Sequence, residues 1–195
     1  MRKTMTKKER QRKTIDAVKQ IVAEEYLDQF TIRLVTQRTG INEALVYRDF
    51  ETKEGLLQAC YHEIELDIYA VWKEKLTNTE VTDYLFVIWS SYFEYLLNNK
   101  TDTYFLYYYR ESSFSNKIDL TKRTQIELPK EVIMKISEAL PKHGTTNAMC
   151  SFFFDTTLYF AIHILKKDIP YTENALQKIY KYIYSGMNLV SELSL

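Results

Sequence analysis

The sequence predicts an all-α protein, and three observations carry that prediction. Apolar residues recur at three- and four-residue steps through most of the 195-residue chain, the period of helices that bury one face. Only four glycines (Gly40, Gly55, Gly144, Gly186) and three prolines (Pro129, Pro141, Pro170) occur, each isolated, so the turn residues of β-hairpins are nearly absent. At 46% hydrophobic and 27% charged, the chain can bury a real core as one large or two small domains. The isolated glycines also exclude a Gly-rich phosphate cradle and a dinucleotide fingerprint.

Ile15, Val18, Ile21, Val22 and, at the margin, Tyr26 share one face, which predicts a first helix from about residue 7 to 27. After a short link at Asp28–Gln29–Phe30, Thr31 is an N-cap for a second helix that ends at Thr39 and buries Leu34 or Val35. Gly40 tolerates the left-handed backbone that ends such a helix, and Asn42 caps a third, Glu43 to Asp49. Two short helices joined through one glycine read as a helix-turn-helix.

Thr52 caps a longer fourth helix that ends near Lys75, with Leu56, Leu57, Cys60, Ile64, Ile68, Val71 and Trp72 as its stripe. A polar break at Thr77–Asn78–Thr79 precedes Val81 to Leu97, apolar on almost every side as in a helix at a domain centre. Asn98–Asn99–Lys100 stops it, and Tyr104 to Tyr109 forms a short aromatic helix before a loop from Ser112 to Ser115. Lys117 to Leu140 is helical around Pro129, which must begin, break or kink it, and Pro141 to Asn147 is a loop. Ala148 to Leu165 and Thr172 to Leu193 are two long closing helices separated by Pro170. The expectation is about nine helices and no strand.

The formal net charge is zero, but it is unevenly spread. Residues 1–53 hold twelve Lys/Arg against eight Asp/Glu, and residues 54–195 hold fourteen against eighteen. Within the first thirteen residues Arg2, Lys3, Lys7, Lys8, Arg10, Arg12 and Lys13 oppose only Glu9. A polyanion is the natural attractor for such a run, and a solvated, frayed terminus is the plainer alternative.

Cys60 and Cys150 stand ninety residues apart without an apolar leader at the N-terminus, so free, mostly buried thiols in a reducing cytoplasm are expected. The longest apolar stretches, such as Ser151 to Leu165 with Asp155 inside it, fall short of the roughly 20 residues that cross a bilayer. An enzyme is not expected. Cys60 and His62 point to different faces of one helix, no further Cys/His cluster completes a metal site, and no pair of Glu-x-x-His repeats is present for a di-metal bundle. No metal and no cofactor are called for.

Between Phe30 and Leu57, Thr31 opens the second helix, Gly40 makes the turn, Asn42 caps the third helix, Tyr47 and Phe50 close it, and Lys53 precedes Leu56–Leu57. This spacing resembles the DNA-binding signature of the tetracycline-repressor (TetR) family over residues 8–57. The resemblance implies an amino-terminal three-helix DNA-binding domain, residues 1–53, and a helical ligand-binding and dimerisation domain, residues 54–195. It also implies that Tyr47 touches backbone phosphate.

The residue chemistry agrees with that reading. Thr31 and Asn42 sit at helix N-termini, where free backbone N–H groups favour a phosphate oxygen, and Lys53 adds a charge at a third. Arg33 and Gln37 are hydrogen-bonding base readers from the second helix; Ala44 and Leu45 can meet thymine methyl groups, and Arg48 projects beside Tyr47. Val35, Ile41, Val46 and Phe50 belong to the core of the unit. Thr36 and Thr39 stand where the family commonly has alanine, and Glu43 where it has a small polar or basic residue. A carboxylate facing DNA lowers affinity unless it accepts from a cytosine amine or pairs with Arg48.

For the rest of the chain the resemblance implies a ligand pocket among helices 4 to 7 and a four-helix interface made by the last two helices of each subunit. Trp72, Trp89, Tyr92, Phe93, Tyr104, Tyr107 and Tyr108 are the candidate walls, with core packing as the alternative for most. Glu94 and Glu111 beside aromatic faces would suit a lipophilic cation, and Arg110 an anion. Ile179, Ile183, Gly186, Met187 and Val190 line one side of the last helix, to pack on a twin helix or to cover the monomer core. Ser151, Asp155, Tyr159 and His163 follow at four-residue steps as a polar stripe, to be met by a dimer partner or a ligand.

The predicted function is a ligand-responsive DNA-binding regulator: a homodimer, most simply a repressor, released from a palindromic operator by a small hydrophobic or aromatic effector. The alternative is a helical adaptor that binds protein and has no affinity for DNA.

Overall fold

The computed structural model describes residues 5–77, 84–114 and 146–193. Among these residues eight α-helices follow in the order α1 (Lys7–Glu25), α2 (Ile32–Thr39), α3 (Glu43–Phe50), α4 (Lys53–Thr77), α5 (Tyr84–Asn98), α6 (Lys100–Arg110), α7 (Thr146–Leu165) and α8 (Glu173–Leu193), with a 3-10 turn, Leu27–Gln29, after α1. No strand occurs among the described residues. The helix expected over 117–140, Pro129, the loop from Pro141 to 145, Arg2 and Lys3, and the side chains of Cys150 and Val190 lie outside them.

Two compact units share the chain, Met1–Leu66 with Tyr104–Arg123 and Asp67–Thr103 with Thr124–Leu195. The division between the units falls within α4. The reason is packing. Leu56, Leu57, Cys60 and Ile64 on the first half of α4 are buried, the Cys60 thiol meets the Ile15 carbonyl of α1 at 3.9 Å, and Lys19 of α1 pairs with Glu63 at 3.1 Å. Cys60 is buried and forms no disulfide among the described residues.

In the first unit, Thr6 opens α1 through a capping box. Its hydroxyl accepts from the Glu9 N–H at 3.2 Å, and the Glu9 carboxylate accepts from the Thr6 N–H at 2.8 Å. Ala17, Val18, Ile21 and Val22 are buried. The helix stops before Tyr26, which takes φ 66° and leaves its ring exposed rather than on the buried stripe. The 3-10 turn then buries Leu27 and delivers a fully buried Phe30 to the start of α2. Val35, not Leu34, is the α2 side chain that is fully enclosed.

In the second unit, α5 and α7 pack on each other and both contact α8. Trp89 and Phe93 of α5 are fully buried and stacked at 5.1 Å between centroids. The Trp89 indole N–H donates to Thr157 Oγ1 on α7 at 3.1 Å, and the Trp72 indole N–H donates to the Ile88 carbonyl at 3.1 Å. Both buried polar handles are therefore satisfied within the unit. Asn99 alone separates α5 from α6, so α6 begins at Lys100 rather than at Tyr104. Its first turn is closed by Thr103, whose hydroxyl donates to the Leu96 carbonyl at 2.6 Å and whose N–H donates to that of Asn99 at 3.0 Å.

Candidate nucleic-acid interface

The helix-turn-helix is built by short-range chemistry. The Thr31 hydroxyl accepts from the Leu34 N–H at 3.3 Å and the Asn42 side-chain oxygen from the Ala44 N–H at 2.8 Å, so both caps form where the sequence places them. Gly40 ends α2 at φ 70° and donates its N–H to the Thr36 carbonyl at 2.8 Å. No atom lies within 4 Å of where a side chain would start, so the glycine answers the backbone conformation and not crowding. Thr39 stitches the turn: its hydroxyl donates to the Val35 carbonyl at 2.7 Å and accepts from the Ile41 N–H at 3.1 Å. That gives a physical role to a threonine where an alanine would leave the Ile41 donor without this partner.

Two cations of the basic amino-terminal run hold this motif in place. Lys13 donates to the Thr39 carbonyl at the end of α2 at 2.9 Å, a favourable charge at a helix C-terminus. Arg10 grips Asp49 of α3 with Nε to Oδ2 at 2.6 Å and Nη2 to Oδ1 at 2.9 Å. The Arg10 hydrogen bonds hold the Asp49 carboxyl below the usual carboxylate range, against the opposing effect of burial. These contacts join residues 26 and 39 apart, a separation at which no sequence pattern announces a pair. Lys7, Lys8 and Arg12 stay exposed.

The remaining face of α2 and α3 is open. Thr31, Arg33, Gln37, Asn42, Glu43, Ala44 and Arg48 are exposed, Leu45 is half-buried, and Tyr47 is 42% exposed. The structure thus brings nine of the sequence-derived DNA residues onto one motif, while Val46 beneath them is buried. Arg48 and Glu43 make no ion pair with each other. Lys53 is different: its ammonium donates to the Phe30 carbonyl at 2.8 Å and lies 5.0 Å and 5.7 Å from the Phe30 and Phe114 ring centroids. Its first partners are therefore within the chain, a clasp that no local pattern reveals.

Trp72, Trp89, Tyr92 and Phe93 lie in the second unit and are buried; Tyr104, Tyr107, Tyr108 and Glu111 lie in the first. Tyr108 packs on Tyr26 at 4.9 Å and on Tyr107 at 5.4 Å. Burial, then the neighbouring Tyr26, pushes its phenol up to about 12. On α8, Ile179, Ile183 and Met187 are buried within the single chain and Gly186 abuts the Phe152 ring of α7. Ile179, Ile183 and Met187 thus close the core of their own unit. Asp155 and Tyr159 are exposed, and His163 on the same stripe bonds Asp168 at 2.8 Å. Beside them α8 exposes Tyr182 at 63% and Leu189 at 56%, apolar positions that the sequence reading passes over.

Among the described residues no group of three or more His, Cys, Asp or Glu is placed to hold a metal, and no helix is long and apolar enough to cross a membrane.

Comparison with known proteins meets the same motif. Residues 15–60 match the family model described as bacterial regulatory proteins, tetR family. No curated protein sequence gives a significant match. Among solved structures, the fold is similar to a TetR family transcription regulator from Marinobacter aquaeolei VT8, with TM-score 0.72, 13% identity, and 90% of this chain and 93% of that one covered. It is likewise similar to a TetR-family transcriptional regulator from Haemophilus influenzae Rd, with TM-score 0.69, 17% identity and 93% and 98% coverage.

Proposed function

We propose, for this member of the tetR family of bacterial regulatory proteins, a homodimeric repressor that leaves a palindromic operator when a small hydrophobic or aromatic effector binds. Its family makes it a DNA-binding transcription regulator; the effector response, the repression and the dimer are the proposal. The observation that carries it is the open face of α2 and α3, where Arg33, Gln37, Asn42, Tyr47 and Arg48 stand exposed on a motif pinned from behind by Arg10 and Lys13.

In this reading α3 lies in the major groove. Thr31 and Asn42 present helix N-termini to phosphate, Tyr47 reaches the backbone, Arg33 and Gln37 bond base edges, and Ala44 with Leu45 meets thymine methyl groups. One eight-residue helix reads too few base pairs, and a twofold dimer repeats the contact one helical turn away. The dimer face is the outward side of α7 and α8, with Asp155, Tyr159 and His163 from one helix and Tyr182 and Leu189 from the other. The effector acts on the carboxy-terminal body. By binding better to another spacing of the two α3 helices it shifts the population away from the DNA-competent one. The protein acts in the cytoplasm, where its operator is.

The test is duplex binding by the purified chain across a salt series. Steep loss of affinity as salt rises, from a protein that selects a palindrome out of a random pool, is the expected result. Absence of duplex binding at low salt overturns it and favours a protein-binding adaptor.

A further inference from the structure

We propose that Glu43 is a base-reading residue that selects a cytosine in each half-site. The inference rests on the docking of α3 described above and goes beyond it by naming what one side chain reads. Glu43 is the first residue of α3, exposed, and preceded by the Asn42 cap whose side chain is turned back onto the Ala44 N–H. In a helix-turn-helix the N-terminal residues of the recognition helix are those that meet base edges. Among the described residues the Glu43 carboxylate makes no hydrogen bond or ion pair; Arg48 is exposed on the same helix and does not neutralise it.

A carboxylate there offers acceptors only. It repels phosphate oxygens, so it can hold no backbone position, and it repels the acceptors at guanine N7 and O6 and thymine O4. Two bases present a donor in the major groove, cytosine at N4 and adenine at N6. Adenine sets the N7 acceptor beside N6, against the second carboxylate oxygen; cytosine carries no acceptor next to N4 on that edge. Cytosine N4 has one flanking acceptor, O6 of the paired guanine, where adenine N6 has two, its own N7 and O4 of the paired thymine, so cytosine is the base that satisfies Glu43 with the least repulsion. The positive end of α3 suits the charge within the helix itself, so the cost of the carboxylate falls on the wrong bases and yields specificity rather than affinity.

Selection from a random duplex pool with the wild type, Glu43→Gln and Glu43→Ala tests this. The wild type is expected to fix cytosine at one symmetric position. Glu43→Gln should shift that position to adenine, whose N6 and N7 an amide can bridge, and Glu43→Ala should accept all four bases there. Replacing that C·G pair by T·A should weaken the wild type about tenfold and leave Glu43→Ala unchanged. Identical selected sequences for all three proteins overturn the role of Glu43 while leaving operator binding intact. A wild type that selects no duplex overturns the DNA reading itself.

Discussion

Arg10 on α1 holds Asp49 on α3 through two parallel hydrogen bonds, and the Asp49 carboxylate is almost completely enclosed, with its side chain 1% exposed. A bidentate guanidinium fixes orientation as well as distance. The helix that carries Glu43, Tyr47 and Arg48 is thereby set in angle against the long first helix, by a residue outside the helix-turn-helix itself.

That pair makes the first unit acid-sensitive. Asp49 has its folded carboxyl below the ordinary value because Arg10 donates to it. Its contribution is present above the unfolded carboxyl value of about 4 and is lost as pH falls below that toward the folded value. Thermal melts between neutral pH and pH 3 should show a decline that is shallower in Asp49→Asn, which starts from a lower midpoint. Equal pH slopes in the two proteins would contradict the assignment.

The seven cations of the first thirteen residues should divide by role. Lys13 is committed to the Thr39 carbonyl, whereas Arg12 is exposed. Arg12→Ala should lower the slope of log affinity against log salt by about 1 with the melting temperature unchanged. Lys13→Ala should lower the melting temperature and move the salt slope less. The reverse assignment of effects would show that Lys13 leaves the turn for phosphate in the complex.

Two glycines should respond differently to alanine. Gly40→Ala meets open space and φ 70°, so its cost is the left-handed strain of about 1–2 kcal/mol. Gly55 lies in the first turn of α4 with the Phe50 carbonyl where a Cβ would go. Alanine is favoured by about 1 kcal/mol in a helix interior, yet here it must force the α3–α4 connection apart. Denaturant titration should find Gly55→Ala the more destabilising; a stabilised Gly55→Ala would mean that this connection yields freely.

The Trp89–Thr157 hydrogen bond predicts a non-additive pair. Thr157→Val leaves a buried indole N–H without its acceptor, a loss of about 1–3 kcal/mol. Trp89→Phe removes that donor and leaves a cavity instead. The double variant should be more stable than the two single losses summed, because no orphan donor remains. Strict additivity in chemical denaturation would argue against the bond.

The helices and the exposed face of α2 and α3 were legible in the sequence because caps, a turn glycine and apolar periodicity are local signals. Thr31, Gly40 and Asn42 each act within four residues of their own position. What escaped detection depends on partners far along the chain. The Arg10–Asp49 grip and the Lys53–Phe30–Phe114 clasp join separate elements, and charge type alone marks Arg10 and Lys53 as phosphate ligands. The α8 stripe is ambiguous for a related reason. Periodicity identifies a buried face without saying whether the same chain or a second copy buries it, and here α7 lies over Gly186.

Ile183 is fully buried within the chain, so Ile183→Asp places an unpaired charge in the core and should abolish folding. Tyr182 is one residue earlier and 63% exposed, and Leu189 is 56% exposed; neither is buried in the unit. If the outward face of α7 and α8 joins two copies, Tyr182→Glu with Leu189→Arg puts charges into an apolar contact and separates them. Sedimentation velocity should then report a monomer whose far-UV circular dichroism matches the wild type. Operator affinity should collapse, because a single α3 is left to read a half-site. A double variant that stays dimeric would move the interface elsewhere on the chain, and the exposed tyrosine face would need another partner.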